Sequence, residues 1–147
     1  MATEIAMDAA TGAVTQQPVA QRSLTEIRDA LFAALSDRRW RAETAGIVVG
    51  GAPIRTDRES QSVLTSAYVQ ATGNPDFAVR WKVGPGQFVT LNAATIIAIG
   101  DTVTAHVQAC FDHEDQLTTA ILTAFAAGDR EVLESFDIEA GWPGQQT

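Results

Sequence analysis

The chain reads as an α+β domain in which helices pack on two β-hairpins, with one long C-terminal helix over about residues 92–127. Two stretches, "AGIVVGGAPIRT" and "FAVRWKVGPGQFVTL", place strand-type residues on both sides of a glycine turn. Elsewhere apolar residues recur at three- and four-residue spacing, the period of a helix with one buried face. Apolar residues make up 46% of 147, the composition of one domain with a modest core.

Residues 1–22 form an N-terminal arm. Over 3–17, "TEIAMDAATGAVTQQ" alternates weakly around Asp8 and Gly12, which supply turn chemistry, and Pro18 ends the pattern. A hairpin this poor in apolar residues is marginal alone. It reads as a docking segment, with Ile5, Met7 and Val14 as its contacts to another chain.

The domain proper is expected over 23–143, followed by a tail over 144–147. Ser23 and Glu26 match a capping box, and Leu24, Ile27, Leu31 and Leu35 share one face, so a helix is predicted over 23–43 with Gly46 as its stop. Its last turns carry Arg38, Arg39 and Arg41, where cations meet the negative end of the helix dipole. The first hairpin turns at Gly50 and Gly51.

The step "TDRES" invites an active-site reading, but its spacing is that of a second capping box, Thr56 with Glu59. A helix to about residue 72 follows, with Val63, Leu64, Ala67, Tyr68 and Ala71 as its buried stripe. In the second hairpin Val79, Trp81 and Val83 are expected on the buried face and Arg80 and Lys82 on the other. These two hairpins are expected to be able to pair into one small sheet.

Asn92 then caps the long helix, whose apolar positions run from Ile96 to Phe125 as one helix or two in line. Gly128 closes it, Asp129 caps a last helix ending near Phe136, and Trp142 anchors the remainder.

Charge excludes several functions. A net charge of -8 and a pI near 4.5 argue against gripping nucleic acid or an anionic membrane, both of which need clustered Lys and Arg. With Cys110 the sole cysteine, no intramolecular disulfide forms, and the acidic N-terminal residues do not resemble a signal peptide; folding in a reducing cytoplasm is expected. The most apolar run, residues 93–100, is shorter than the roughly 20 residues of a membrane span.

The most metal-like constellation is His106, Cys110 and His113, spaced four and three on one helix face. The two histidines lie about 10 Å apart along a straight helix, too far to share one ion. Cys110 reads as a small core residue and the histidines as satisfied polar groups. Asp112, Glu114 and Asp115 are successive, so they splay around the helix instead of converging as an acid and base pair. The chain shows no nucleophile elbow, no phosphate-binding loop ending in Lys and no zinc pair of cysteines. No cofactor and no catalysis are expected.

In order, "AGIVVGGAPIRTDRESQSVLTSAY", "VRWKVGPGQFVTLNAATIIAIGDTVTAHVQACFDHED" and a closing "GWP" resemble an uncharacterised domain family of tailed bacteriophages and prophages. The similarity is read over about residues 38–143. The family is typical of the C-terminal part of tail fibre and tail fibre assembly proteins, and the resemblance implies association with the host-adsorption apparatus and no catalytic residues. On it rests the expected function: a virion structural subunit or adaptor at the tail fibre or baseplate, made in the host cytoplasm and partnered by other tail proteins. The alternative is a fibre assembly chaperone that leaves before maturation. Homo-oligomerisation, with a trimer favoured, is expected through the long helix, whose stripe, including Ile99, Val103 and His106, is broad enough for a core and a partner. Trp81, Tyr68 and Trp142 would stack on a sugar only if exposed.

Overall fold

The computed structural model describes residues 21–144, and the backbone alone for residues 3–7 and 14–18. Strands β1 (Thr3–Met7) and β2 (Val14–Pro18) pair antiparallel, with Ile5 opposite Gln16 and Met7 opposite Val14. The predicted arm hairpin is therefore present as backbone; Asp8 and Gly12 lie outside the described residues, as do residues 145–147 of the tail.

Helix α1 (Leu24–Thr44) begins as predicted. Ser23 accepts from the Glu26 amide while the Glu26 carboxylate accepts from the Ser23 amide, the complete capping box. Gly46, at φ 90°, turns the chain into β3 (Ile47–Val49), which pairs with β4 (Ala52–Ile54) across Gly50 and Gly51, at φ 58° and 83°. Glycine is required at these three positions because a side chain would clash with its own backbone there.

Helix α2 (Arg58–Gly73) follows, then β5 (Ala78–Gly84) and β6 (Gln87–Asn92), paired antiparallel. Helix α3 (Ala93–Ala126) is a single helix of 34 residues capped by Asn92, and α4 (Arg130–Glu134) is capped by Asp129. The last helix thus stops two residues short of Phe136, which leaves α4 packed on the core by Leu133.

The fold is α+β, as expected, but β3–β4 and β5–β6 remain separate two-stranded sheets. Each packs its own apolar face on the helices instead of on the other's edge.

Helix α3 is the spine, about 50 Å long at 1.5 Å per residue. Its N-terminal half supplies Ala93, Ile96, Ile99 and Val103 to a core shared with Leu64, Ala67 and Ala71 of α2 and Ile54 of β4. Its C-terminal half gives Cys110, Ile121 and Ala124 to a second core with Ile27, Leu35 and Ala42 of α1, Leu133 of α4 and Trp142. Leu35, Ile96, Ile121 and Leu133 are almost fully enclosed, each contributing about 2 kcal/mol of apolar burial. By length and composition α3 is apolar enough to cross a membrane, contrary to what the run 93–100 alone indicates. Its buried apolar positions, among them Ile96, Ile99, Val103, Cys110 and Ile121, pack within the same chain, while Phe111 and Leu122 are exposed.

Helices α2 and α3 approach closely at Gly100. A Cβ there would stand 2.3 Å from Cδ2 of Tyr68, so glycine is what lets the tyrosine ring lie across α3 and donate its hydroxyl to Asp101 at 2.7 Å. Val63, placed by periodicity on the buried stripe, is 54% exposed; the stripe is narrower, Leu64, Ala67 and Ala71.

Candidate interaction surface

Between the two cores sits a polar node built from the end of α1 and the "TDRES" step. The Glu43 side chain is fully enclosed, yet it accepts from Arg39 at 2.7 Å, Arg58 at 2.6 Å and Gln61 at 3.0 Å. Burial by itself pushes a carboxyl up, but the hydrogen bonds from Arg58, Gln61 and Arg39 outweigh it and hold Glu43 below the ordinary glutamate range. Arg39 continues to Glu114 at 3.4 Å and lies over the Phe111 ring, while Arg58 lies over Trp40.

Thr56 belongs to this node and is not the helix cap its spacing predicts. Its hydroxyl donates to the Glu43 carbonyl at 2.6 Å and accepts from the Gly46 amide at 2.9 Å. Asp57 caps α2 instead, accepting from the Ser60 amide at 3.1 Å, and Glu59 stands in the first turn where the dipole favours an acid. "TDRES" is a folding instruction in which Asp57 and Ser60 take the cap and N3 places that the spacing gives to Thr56 and Glu59.

The three metal-like residues part company. His106 is buried, and because a carbonyl only accepts, its Nε2 carries the proton it gives to Ala42 O, 3.0 Å away at the open end of α1. Cys110 Sγ is 3.8 Å from the same nitrogen, fully enclosed, and burial pushes its thiol up to about 11. His113 faces elsewhere: its Nε2 donates to Ala140 O at 3.0 Å and its ring meets Trp142 edge-on at 4.5 Å. Among the described residues no group of three His, Cys, Asp or Glu side chains is placed to hold a metal.

These contacts fasten the closing "GWP" segment. Trp142 is 3% exposed, donates to Ile138 O at 2.8 Å and lies under Arg38, which pairs with Glu139. Trp142 is thus core and unavailable to a sugar, and Tyr68 and Trp81 are half-buried. Asp112 accepts from Gln108 and Glu114 from Arg39, so these carboxylates point to different partners.

Of the residues assigned to contacts between chains, Ile99, Val103 and His106 are enclosed within this one, at 6%, 4% and 9% exposure. The side chains of Ile5, Met7 and Val14 lie outside the described residues. Exposed apolar surface appears elsewhere, at Val63, Val83, Phe88 and Val89.

Val63 and Val83 flank a groove of about 710 Å³ between α2 and β5. One wall is Arg55, Asp57 and the α2 residues Glu59, Ser60, Val63, Ser66, Ala67 and Gln70; the other is residues 79–85 in unbroken succession. Side chains alternate across a strand, so consecutive residues line one groove only where it follows the strand edge. Among the described residues β5 pairs with β6 alone, which leaves that edge without a partner strand.

Val83 is not on the buried face with Val79 and Trp81. The register slips between Lys82 and Gly84, leaving Val83 as the extra residue of a bulge, 41% exposed at the groove. Neither groove nor bulge is readable from the local alternation, although the absence of any acid from 77–92 marks the hairpin as unlike the rest of the chain.

Comparison with family models gives a match to a domain of unknown function (DUF4376) over residues 26–140. No curated protein and no solved structure matches the chain. The match begins within the first turn of α1, so the domain takes in the helix that the motifs alone left outside it and excludes the β1–β2 arm. It covers the polar node and both cores apart from Trp142, which with the closing "GWP" lies beyond its end, and it shows that the chain belongs to the DUF4376 family.

Proposed function

We propose that the chain is a structural subunit of a tailed-phage particle, a tail-fibre or baseplate-associated subunit or adaptor that acts in tail assembly and host adsorption without catalysis. What carries this reading is the use made of the residues that resemble the tail-fibre family. Thr56, Asp57 and Arg58 lock α1 to α2, Asn92 caps α3, and His106 and Cys110 close the junction of the two cores. The family motifs therefore specify a scaffold, and apolar residues remain exposed on it, Val63 and Val83 at the groove along β5 and Phe88 and Val89 on opposite faces of β6. Binding other tail proteins is the role such surfaces suit. The subunit multimerises and resides in the virion tail.

Deleting the gene from its phage and imaging the particles tests this. The expected result is particles with missing or misplaced fibres and an adsorption defect that the chain supplied in trans repairs. Fully fibred particles with unchanged adsorption would contradict it. A chaperone that departs before maturation gives the same deletion phenotype and separates by particle composition.

A further inference from the structure

The β5–β6 hairpin carries bases and no acid in an acidic molecule. Within residues 77–92 the charged groups are Arg80 and Lys82, against a whole-chain charge of -8. Both are exposed, and neither forms an ion pair among the described residues; Arg80 donates only to the Thr90 hydroxyl at 3.2 Å. They stand on the strand whose free edge forms one wall of the 710 Å³ groove, beside the apolar Val79, Trp81 and Val83.

We propose that this groove is a strand-addition site and that its occupant is the N-terminal arm of a second copy of the chain. A free edge offers alternate backbone N–H and C=O groups to a third strand, and the α2 wall offers Val63 and Ala67 to every other side chain, while Asp57 and Glu59 on that wall leave the β5 side, with Arg80 and Lys82, as the side that attracts acids. The arm fits in sequence: over 3–8, "TEIAMD", acids and apolar residues interleave, and residues 1–21 contain Glu4 and Asp8 but no base.

Charge also selects against the simpler arrangement. In a two-fold pairing of β5 with β5, Arg80 and Lys82 of the two copies would oppose one another, which is unfavourable. The Val83 bulge and Pro85 blunt the edge near its turn, leaving the regular stretch 78–82 as the part that pairs. An arm-to-groove contact closes as a two-fold dimer when two copies exchange arms, and as a ring when each arm reaches the next copy and the rotation allows. The inference concerns two copies of this chain alone and stands or falls independently of the tail assignment.

Sedimentation equilibrium of four full-length proteins tests it: wild type, Glu4→Lys with Asp8→Lys, Arg80→Glu with Lys82→Glu, and all four changes together. Circular dichroism first establishes that each variant is folded. The expected result is self-association of the wild type, a dissociation constant raised about tenfold or more by either pair of reversals, and recovery when both are combined. A wild type that stays monomeric at about 100 μM, reversals without effect, or a combined variant as weak as its parents would each overturn the proposal.

Discussion

The hydroxyl of Thr56 works in two directions, donating to the carbonyl of Glu43 at 2.6 Å and accepting from the amide of Gly46 at 2.9 Å. One fully buried side chain thereby satisfies the end of α1 and the start of β3, while its neighbours Asp57 and Arg58 begin α2.

Thr56→Val keeps the shape and removes both bonds, stranding a buried carbonyl and amide. The expected loss is about 2 kcal/mol, within the range for unsatisfied buried groups, whereas Thr56→Ser retains most of the stability. Urea unfolding monitored by circular dichroism reads the difference as a lower midpoint at unchanged slope.

Glu43→Gln leaves Arg39, which keeps Glu114, and the half-exposed Arg58 facing a neutral amide, and a loss of about 2 kcal/mol is expected. The same carboxylate makes stability depend on pH. Its folded pKa lies below its unfolded one, so its contribution is fully present above the ordinary glutamate range and disappears as pH falls through the folded value. A midpoint-against-pH curve for Glu43→Gln should accordingly be flatter than the wild-type curve on the acid side.

Gly100→Ala forces a methyl group against the Tyr68 ring, and the expected cost is about 2 kcal/mol from overpacking. Combining it with Tyr68→Ala should recover part of that loss, a coupling that a thermal-melt double-mutant cycle measures. Additive losses would show that the two residues do not touch.

Cys110 is buried and its thiol raised to about 11, so it should react with a thiol-specific disulfide reagent at pH 8 far more slowly in the native protein than in urea. Native labelling as fast as the denatured control would contradict its enclosure.

The local features were legible because they act over short spans. Ser23 with Glu26, Asn92, Asp129, the Gly50–Gly51 turn and the helical stripe of α3 all depend on residues within a turn or two of one another. Thr56 was misplaced by one position because what claims its hydroxyl, Glu43, lies 13 residues away in sequence. The same limit hid the groove: nothing near Val63 says that β5 lies opposite it, and nothing near Lys82 says that the register slips there. Helical periodicity puts Ile99 and Val103 on the apolar face of α3, but only the packing of α2 shows that their own chain encloses them.

The measurement that bears most directly on the tail-subunit assignment is quantitative mass spectrometry of purified, infectious particles, with this chain counted against the major tail proteins. The account predicts a fixed whole-number ratio per particle that survives repeated purification. Absence from particles, with the chain abundant in infected cells, would contradict it and leave the assembly chaperone in its place.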